Sequence, residues 1–295
     1  MVIRRTSNNY TLVNDCSKRL RILVLCSDDP QHHYLISELA ARFDLVGAII
    51  ESGKDQHQRL WQKAKYIDWL YRYWHIKRQK LTGRSRYRCD YFSPLIRNIS
   101  HINKIYVDWI GSQETVEAIR DFKPDITVVC GTMYIPKKVI HAADFMINVH
   151  GGYLPDYRGN HCIFFAYYKA DYAKIAATLH VVSSELDGGE IIEIVKPPIY
   201  PHDNDDHLYC RALHLAMLRL FEIIEDFEAG SQSIQCYPQV GNGMMYWHRS
   251  RKPHHDFLLW LKKSLGLQQV PHIPVENFEQ ETIAQQVLEE RLSCE

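Results

Sequence analysis

The chain has 295 residues, enough for one large domain or two small ones with a true hydrophobic core. Apolar residues make up 46% and charged residues 24%, and 35 Lys and Arg balance 35 Asp and Glu, a globular composition that argues against a large nucleic-acid footprint. The eight cysteines are scattered with no Cys-x-x-Cys pair, and no apolar run is long enough for a membrane helix; the expectations are reduced thiols, a cytoplasmic setting, and neither a zinc ribbon nor a membrane span.

Residues 1–18 are polar, lack an apolar signal core and read as a loosely ordered extension. Residues 19–27, with the run Ile22-Leu23-Val24-Leu25, predict a strand buried on both faces. A helix is expected over 28–43 and a second strand over 44–51, together the size of a βαβ unit. Residues 56–88 are the most basic part of the chain and are rich in aromatics. Trp61, Tyr66, Trp69, Leu70 and Trp74 fall near helical spacing, so this insertion (53–100) is expected to be an amphipathic helix with its aromatics against the body and its cations in solvent. Alternation then resumes. A strand is expected over 102–107, a helix over 112–125 capped by Ser112, and a strand over 126–134. A short helix from Pro136 leads to the strand that ends in Asn148-Val149-His150. A helix over 160–172, strands in 176–182 and 183–199, and a long helix over 206–229 follow. The stretch 231–295 is read as a C-terminal extension ending in a Gln/Glu-rich tail, and 19–230 as the catalytic domain. The alternation predicts an α/β fold: a mostly parallel twisted sheet with helices on both faces, whose site lies at the carboxyl ends of the strands.

The chemistry gathers where that rule puts it. Period-two alternation sends Asn148 and His150 to one side of their strand. Asp187 sits in a turn before Gly188-Gly189; brought near His150 it would fix the orientation of the ring. Amide, imidazole and carboxylate together suit acyl transfer to an amine without a covalent enzyme intermediate. Asn148 and a protonated His150 support the oxyanion, and Asp187 helps the amine lose its proton.

The combination Asn148-Val-His150, Leu154-Pro155, Tyr157-Arg158-Gly159, Thr178-Leu-His180 and Asp187-Gly-Gly-Glu-Ile-Ile resembles the formyltransferase family that uses 10-formyltetrahydrofolate. Its members include the glycinamide ribonucleotide, methionyl-tRNA and sugar N-formyltransferases. The segment Cys130-Gly-Thr-Met-Tyr-Ile135 is similar to the family stretch ahead of the motif. The resemblance implies a Rossmann-like fold and Asn148, His150 and Asp187 as catalytic residues. It also implies Met133, Tyr134 and Ile135 lining the pterin pocket, with Glu185 and Leu186 in the loop that closes it. 10-Formyltetrahydrofolate would be the donor, a primary amine the acceptor, and no metal is implied. Arg158 and His161 are candidate substrate-binding residues, while His180 reads as a packed histidine and the pairs His32-His33 and His254-His255 as solvated ones.

Three departures from the family pattern bear on the acceptor. Gly151-Gly152 stand where members often have Pro-Ser. The first strand runs into Cys26-Ser27-Asp28-Asp29 rather than a glycine-rich phosphate loop, which argues against glycinamide ribonucleotide. The stretch after Gly230 looks too short for the extra β-domain of the tRNA enzymes. The expected function is therefore formyl transfer to a small-molecule amine, an amino sugar carried on a nucleotide. The alternatives are a methionyl-tRNA formyltransferase-like or hydrolase activity, or a folate- or nucleotide-binding module without catalysis. No membrane or nucleic-acid partner is expected, and the aromatic insertion offers a candidate homodimer interface.

Overall fold

The computed structural model describes residues 2–6, 9–13, 19–230 and 233–274. The Gln/Glu-rich tail and part of the N-terminal extension lie outside them. In chain order the strands and helices are β1 (Val2–Thr6), β2 (Asn9–Val13), β3 (Arg21–Ser27), α1 (Pro30–Arg42), β4 (Asp44–Glu51), α2 (Gly53–Gln62), α3 (Tyr66–Leu81) and α4 (Arg84–Phe92). Then come β5 (Lys104–Val107), α5 (Gln113–Phe122), β6 (Ile126–Cys130), α6 (Lys137–Ile140), β7 (Met146–His150), β8 (Tyr157–Gly159) and α7 (Cys162–Tyr168). The remainder is β9 (Ala177–Val181), β10 (Ile191–Val195), α8 (Asp205–Glu228), β11 (Ile234–Gln235), β12 (Met244–Tyr246) and α9 (Pro253–Ser264).

The central sheet has seven strands in the order β10-β9-β7-β6-β3-β4-β5. β7, β6, β3, β4 and β5 run parallel, while β9 is antiparallel to both neighbours. Alternation along each strand feeds two cores. Ile22, Val24 and Cys26 of β3 face a core built with α1, α4, α7 and α8, whereas Leu23 and Leu25 face one built with α5 and α6. The expected mostly parallel sheet with helices on both faces is what forms. Ser112 caps α5 as expected, its hydroxyl accepting from the Thr115 amide at 3.1 Å.

Four expectations fail for identifiable reasons. β1 and β2 pair antiparallel and β11 adds to β2, so residues 2–6 and 9–13 are strands rather than loose chain. Their third partner lies more than two hundred residues away, beyond the reach of local pattern. The strand read over 126–134 stops at Cys130, because Gly131 turns the backbone left-handed at φ +67°. The helix read over 160–172 is confined to α7. The insertion is three helices, broken by left-handed Ala64 and Gly83, and its packing inverts the expected one. Trp61, Tyr66 and Leu70 are more than half exposed while His75 and Arg78 are buried.

Candidate active site

β7 and β9 build the site by cross-strand pairing. Asn148 stands opposite His180, and His150 opposite Thr178. Ile147, Val149, Ala177 and Leu179 point into the α8-side core, so the four polar residues share the other face at the sheet's carboxyl end. Asn148 donates from Nδ2 to His180 Nε2 at 2.9 Å, and His180 Nδ1 donates to the Val181 carbonyl at 3.0 Å. A carbonyl only accepts, so the His180 proton sits on Nδ1 and Nε2 offers its lone pair to the amide. Burial pushes the His180 pKa down to about 4, against the pull of Asp187, and the ring is neutral at pH 7. His180 thus orients the Asn148 amide, whose second N–H is left for a ligand. Sequence reading treated it as packing; the signal was its parity with Thr178 on a strand that had to lie beside β7.

Asp187 closes the arrangement from the turn between β9 and β10. Its backbone is left-handed at φ +49°, a conformation aspartate tolerates better than most side chains. Oδ2 accepts from the Gly159 amide at 2.8 Å and lies 3.6 Å from His150 Nδ1, while Oδ1 is 3.8 Å from His180 Nε2. His150 Nε2 donates to the Tyr157 carbonyl at 3.1 Å, which turns Nδ1 to the carboxylate. Gly152 makes room for that ring. A Cβ there would stand 2.5 Å from His150 Nε2, 2.6 Å from Cys162 Cβ and 2.8 Å from the Tyr157 oxygen. The Gly-Gly that departs from the family pattern therefore has a steric cause at its second position. Burial of Cys162 and the nearby Asp187 carboxylate push its thiol well up, so it stays protonated as part of this wall.

The turn itself is braced from two sides. Arg158, buried beneath it, donates to the Leu186 carbonyl at 2.5 and 3.2 Å and pairs with Glu185 at 2.8 Å. Arg158, expected to bind substrate, has its guanidinium committed to this brace instead. Gln239 Nε2 donates to the carbonyls of Asp187 at 2.8 Å and Gly189 at 2.6 Å, a contribution that no local motif announces. Beside the turn, Met133 and Tyr134 are about half exposed and Ile135 is buried. The Met133 amide donates to the buried carboxylate of Glu51 at 3.3 Å, and the Tyr134 hydroxyl to the Ser184 carbonyl at 3.3 Å. The two segments expected to line one pocket are thus in contact, and they present an apolar, aromatic surface suited to a flat heteroaromatic ring. His161 does not join the trio; its ring stacks on His75. Of the histidines read as solvated, His32 is buried under Gly131, and His33 pairs with Asp28 at 2.9 Å.

An amide oriented by one histidine and a second histidine set against a carboxylate thus meet at the carboxyl end of the sheet, where folds of this kind carry their sites. The family model described as formyl transferase matches residues 80–224. Relatives include the methionyl-tRNA formyltransferase of Streptococcus thermophilus, 27% identical over 152 residues, covering 52% of this chain and 48% of that protein. The phosphoribosylglycinamide formyltransferase of Escherichia coli is 34% identical over 101 residues, covering 34% of this chain and 47% of that one. The chain thus matches about half the length of these relatives. Among solved structures, a 4-N formyltransferase from Francisella tularensis shares the fold with a TM-score of 0.53, 14% identity, and coverage of 88% of this chain and 99% of that one. A candidate sugar N-formyltransferase from Mycobacterium tuberculosis gives a TM-score of 0.51 and 17% identity, covering 81% and 85%. Residues 80–224 of the chain thus carry the formyl transferase family's domain.

Proposed function

We propose that this chain transfers a formyl group from 10-formyltetrahydrofolate to a primary amine of a small molecule, an amino sugar carried on a nucleotide. The observation that carries the reaction is the convergence of His150, His180 and the Gly159 amide on Asp187, with Asn148 beside them. In this reading the folate supplies an activated formyl carbonyl. The free N–H of Asn148 stabilises the oxygen as the amine adds, His150 holds Asp187 in place, and Asp187 accepts the amine proton directly or through water; the adduct then collapses with cleavage of the bond from the formyl carbon to the folate nitrogen, which takes up a proton as tetrahydrofolate leaves. The Met133–Ile135 segment and the 185–187 turn hold the pterin. Support for the acceptor is less direct. Ser27-Asp28-Asp29 at the end of β3 is an acidic rather than phosphate-binding entry to α1, and the Mycobacterium tuberculosis protein of the same fold is a candidate sugar N-formyltransferase.

The test is incubation with 10-formyltetrahydrofolate and a panel of nucleotide-linked amino sugars, glycinamide ribonucleotide and methionyl-tRNA, read by mass for one added formyl group. Product from an amino sugar, abolished by Asn148→Ala, supports the proposal. Formylation of methionyl-tRNA would replace the acceptor, and folate consumption without an acceptor would point to a hydrolase. No folate turnover in any arm would refute the enzymatic reading.

A further inference from the structure

A second cluster of histidines stands outside the Asn148–His150–Asp187 site. His75 comes from α3, His161 from the entry to α7, and His248 from the short helical turn His248–Ser250. One nitrogen of each lies within 4.8 Å of those of the other two. The ring centroids are 4.8 Å apart for His75 and His161, 4.4 Å for His75 and His248, and 5.3 Å for His161 and His248.

The hydrogen bonding of these rings is informative. Nδ1 of His75, Nε2 of His161 and Nε2 of His248 are buried without a hydrogen-bond partner. Buried polar atoms in folded proteins are nearly always hydrogen-bonded, so three orphans in one place ask for a common partner. The other nitrogen of His75, Nε2, donates to the His248 carbonyl at 3.1 Å. That bond fixes the proton on Nε2 and leaves a lone pair on Nδ1, as the outer-shell bond of a metal-ligating histidine does. Neutral imidazole is the form that binds a metal. Of the nearby cations, Arg78 is paired with Asp256 at 3.2 Å and Arg251 with Asp205 at 3.2 Å and Asp256 at 2.5 Å, while Arg72 donates to the Gly53 carbonyl at 2.8 Å. His161 is also held at φ +60°, left-handed, where it begins α7.

We infer that His75, His161 and His248 bind one divalent transition-metal ion of the zinc class, with a fourth position open to water or an exogenous ligand. Three imidazoles and an open position are a known tetrahedral zinc set, with Zn–N of about 2.0–2.1 Å and hence N···N of about 3.4 Å. The present nitrogens lie within 4.8 Å of one another, so binding has to draw the rings together by up to about 1.4 Å. This departs from the sequence expectation of no metal, because the ligands come from three segments with no shared spacing. The ion would tie the insertion and the C-terminal segment to the loop that follows Gly159, whose amide holds Asp187. A role in ordering that loop follows from its position.

The experiment is a Zn²⁺ titration of the full metal-stripped chain against a chromophoric chelator, with Co²⁺ as a spectroscopic probe. The expected result is one Zn²⁺ per chain and a tetrahedral Co²⁺ spectrum. His248→Gln and His161→Gln should each weaken binding by more than about a hundredfold, beyond what loss of an outer-shell partner costs. The double variant His254→Gln/His255→Gln should leave it unchanged. Circular dichroism checks that the variants fold. Should they not, the wild-type Co²⁺ spectrum and stoichiometry decide alone. No stoichiometric Zn²⁺ binding by wild type, or equal binding by folded His248→Gln, would overturn the inference. Neither readout depends on formyl transfer.

Discussion

Replacing Gly152 by alanine should damage the candidate site at a single atom. The added Cβ would sit 2.5 Å from His150 Nε2, 2.6 Å from Cys162 Cβ and 2.8 Å from the Tyr157 carbonyl oxygen. Comfortable contacts between such atoms are about 3.5–4.0 Å, so each neighbour has to give by about 1 Å. None is the free end of a flexible chain. The Cys162 Cβ is anchored at the start of α7, and the Tyr157 oxygen belongs to β8, paired with β12. The His150 ring is the part that can turn, and turning it breaks its bond to Tyr157 and shifts Nδ1 away from Asp187. Overpacking of this kind costs about 1–3 kcal/mol of stability, and a 1 Å displacement of a reacting group costs about a hundredfold in rate. Gly151→Ala is the matched control, because its Cβ would meet only the edge of the Tyr209 ring, at 3.1 and 3.5 Å. Urea denaturation and steady-state formyl transfer measure the two effects. A Gly152→Ala protein with unchanged urea midpoint and kcat/KM within twofold of wild type would refute the reasoning.

Asn148→Ala should lower kcat by about 10²–10³, the usual loss for one oxyanion donor, with product followed by mass spectrometry. Asp187→Asn keeps the shape and tolerates the same left-handed backbone, so it should lower kcat by about 10²–10⁴ while leaving the thermal midpoint within a few degrees of wild type. Arg158→Ala removes the donors to Leu186 and should cost about 1.5–3 kcal/mol of urea stability; an unaltered midpoint would show that Gln239 holds the turn by itself. Acid should destabilise the fold before carboxylates titrate. His180 has a folded pKa near 4, so the unfolded chain binds more protons between about pH 6.5 and pH 4 and stability falls as pH falls through that window. From pH 7 to 5 the loss is on the order of 2 kcal/mol, measured by urea midpoints, and a flat profile would contradict the buried neutral state of His180.

What was legible in the sequence was what local periodicity encodes. Ile22 to Leu25 declare a strand buried on both faces, and Asn148 and His150 share a face because alternation requires it. The Gly-Gly after Asp187 marked a turn, though not what holds it. The rest depended on partners distant in sequence. Tyr10 is buried because its strand pairs with Ile234 and its ring packs, tilted, against Phe145 with centroids 4.2 Å apart, and nothing near residue 10 says so. His180 read as core because a histidine on an apolar strand usually is; its role appears only when Asn148 is seen opposite it. In the insertion, helical spacing of the aromatics was correctly seen, but spacing does not say which face is buried. There the buried positions are His75 and Arg78, held by partners in the C-terminal segment, while nearer the surface Trp69 stacks on Tyr73 and meets Trp61 edge-on.

These long-range partners share a target. β12 pairs in parallel with β8, setting Met244 against Tyr157 and Tyr246 against Gly159. Gln239 holds the Asp187 and Gly189 carbonyls, and Arg158 on β8 holds that of Leu186. His75 and His248 pack on His161, two residues beyond Gly159. The strands β7 and β9 position Asn148, His150 and His180 through the sheet itself, where ladder hydrogen bonds leave little freedom. Asp187 has no such support: it sits on a turn, in a left-handed conformation, and its carboxylate must meet an imidazole to within a few tenths of an ångström. A loop residue reaches that precision only when its carbonyls and neighbours are bonded from outside the loop. The segment that reads as an appendage to the domain therefore supplies rigidity where the proposed catalytic carboxylate lacks its own, and changes at Gln239 or along β12 should act on the proposed chemistry through the position of Asp187.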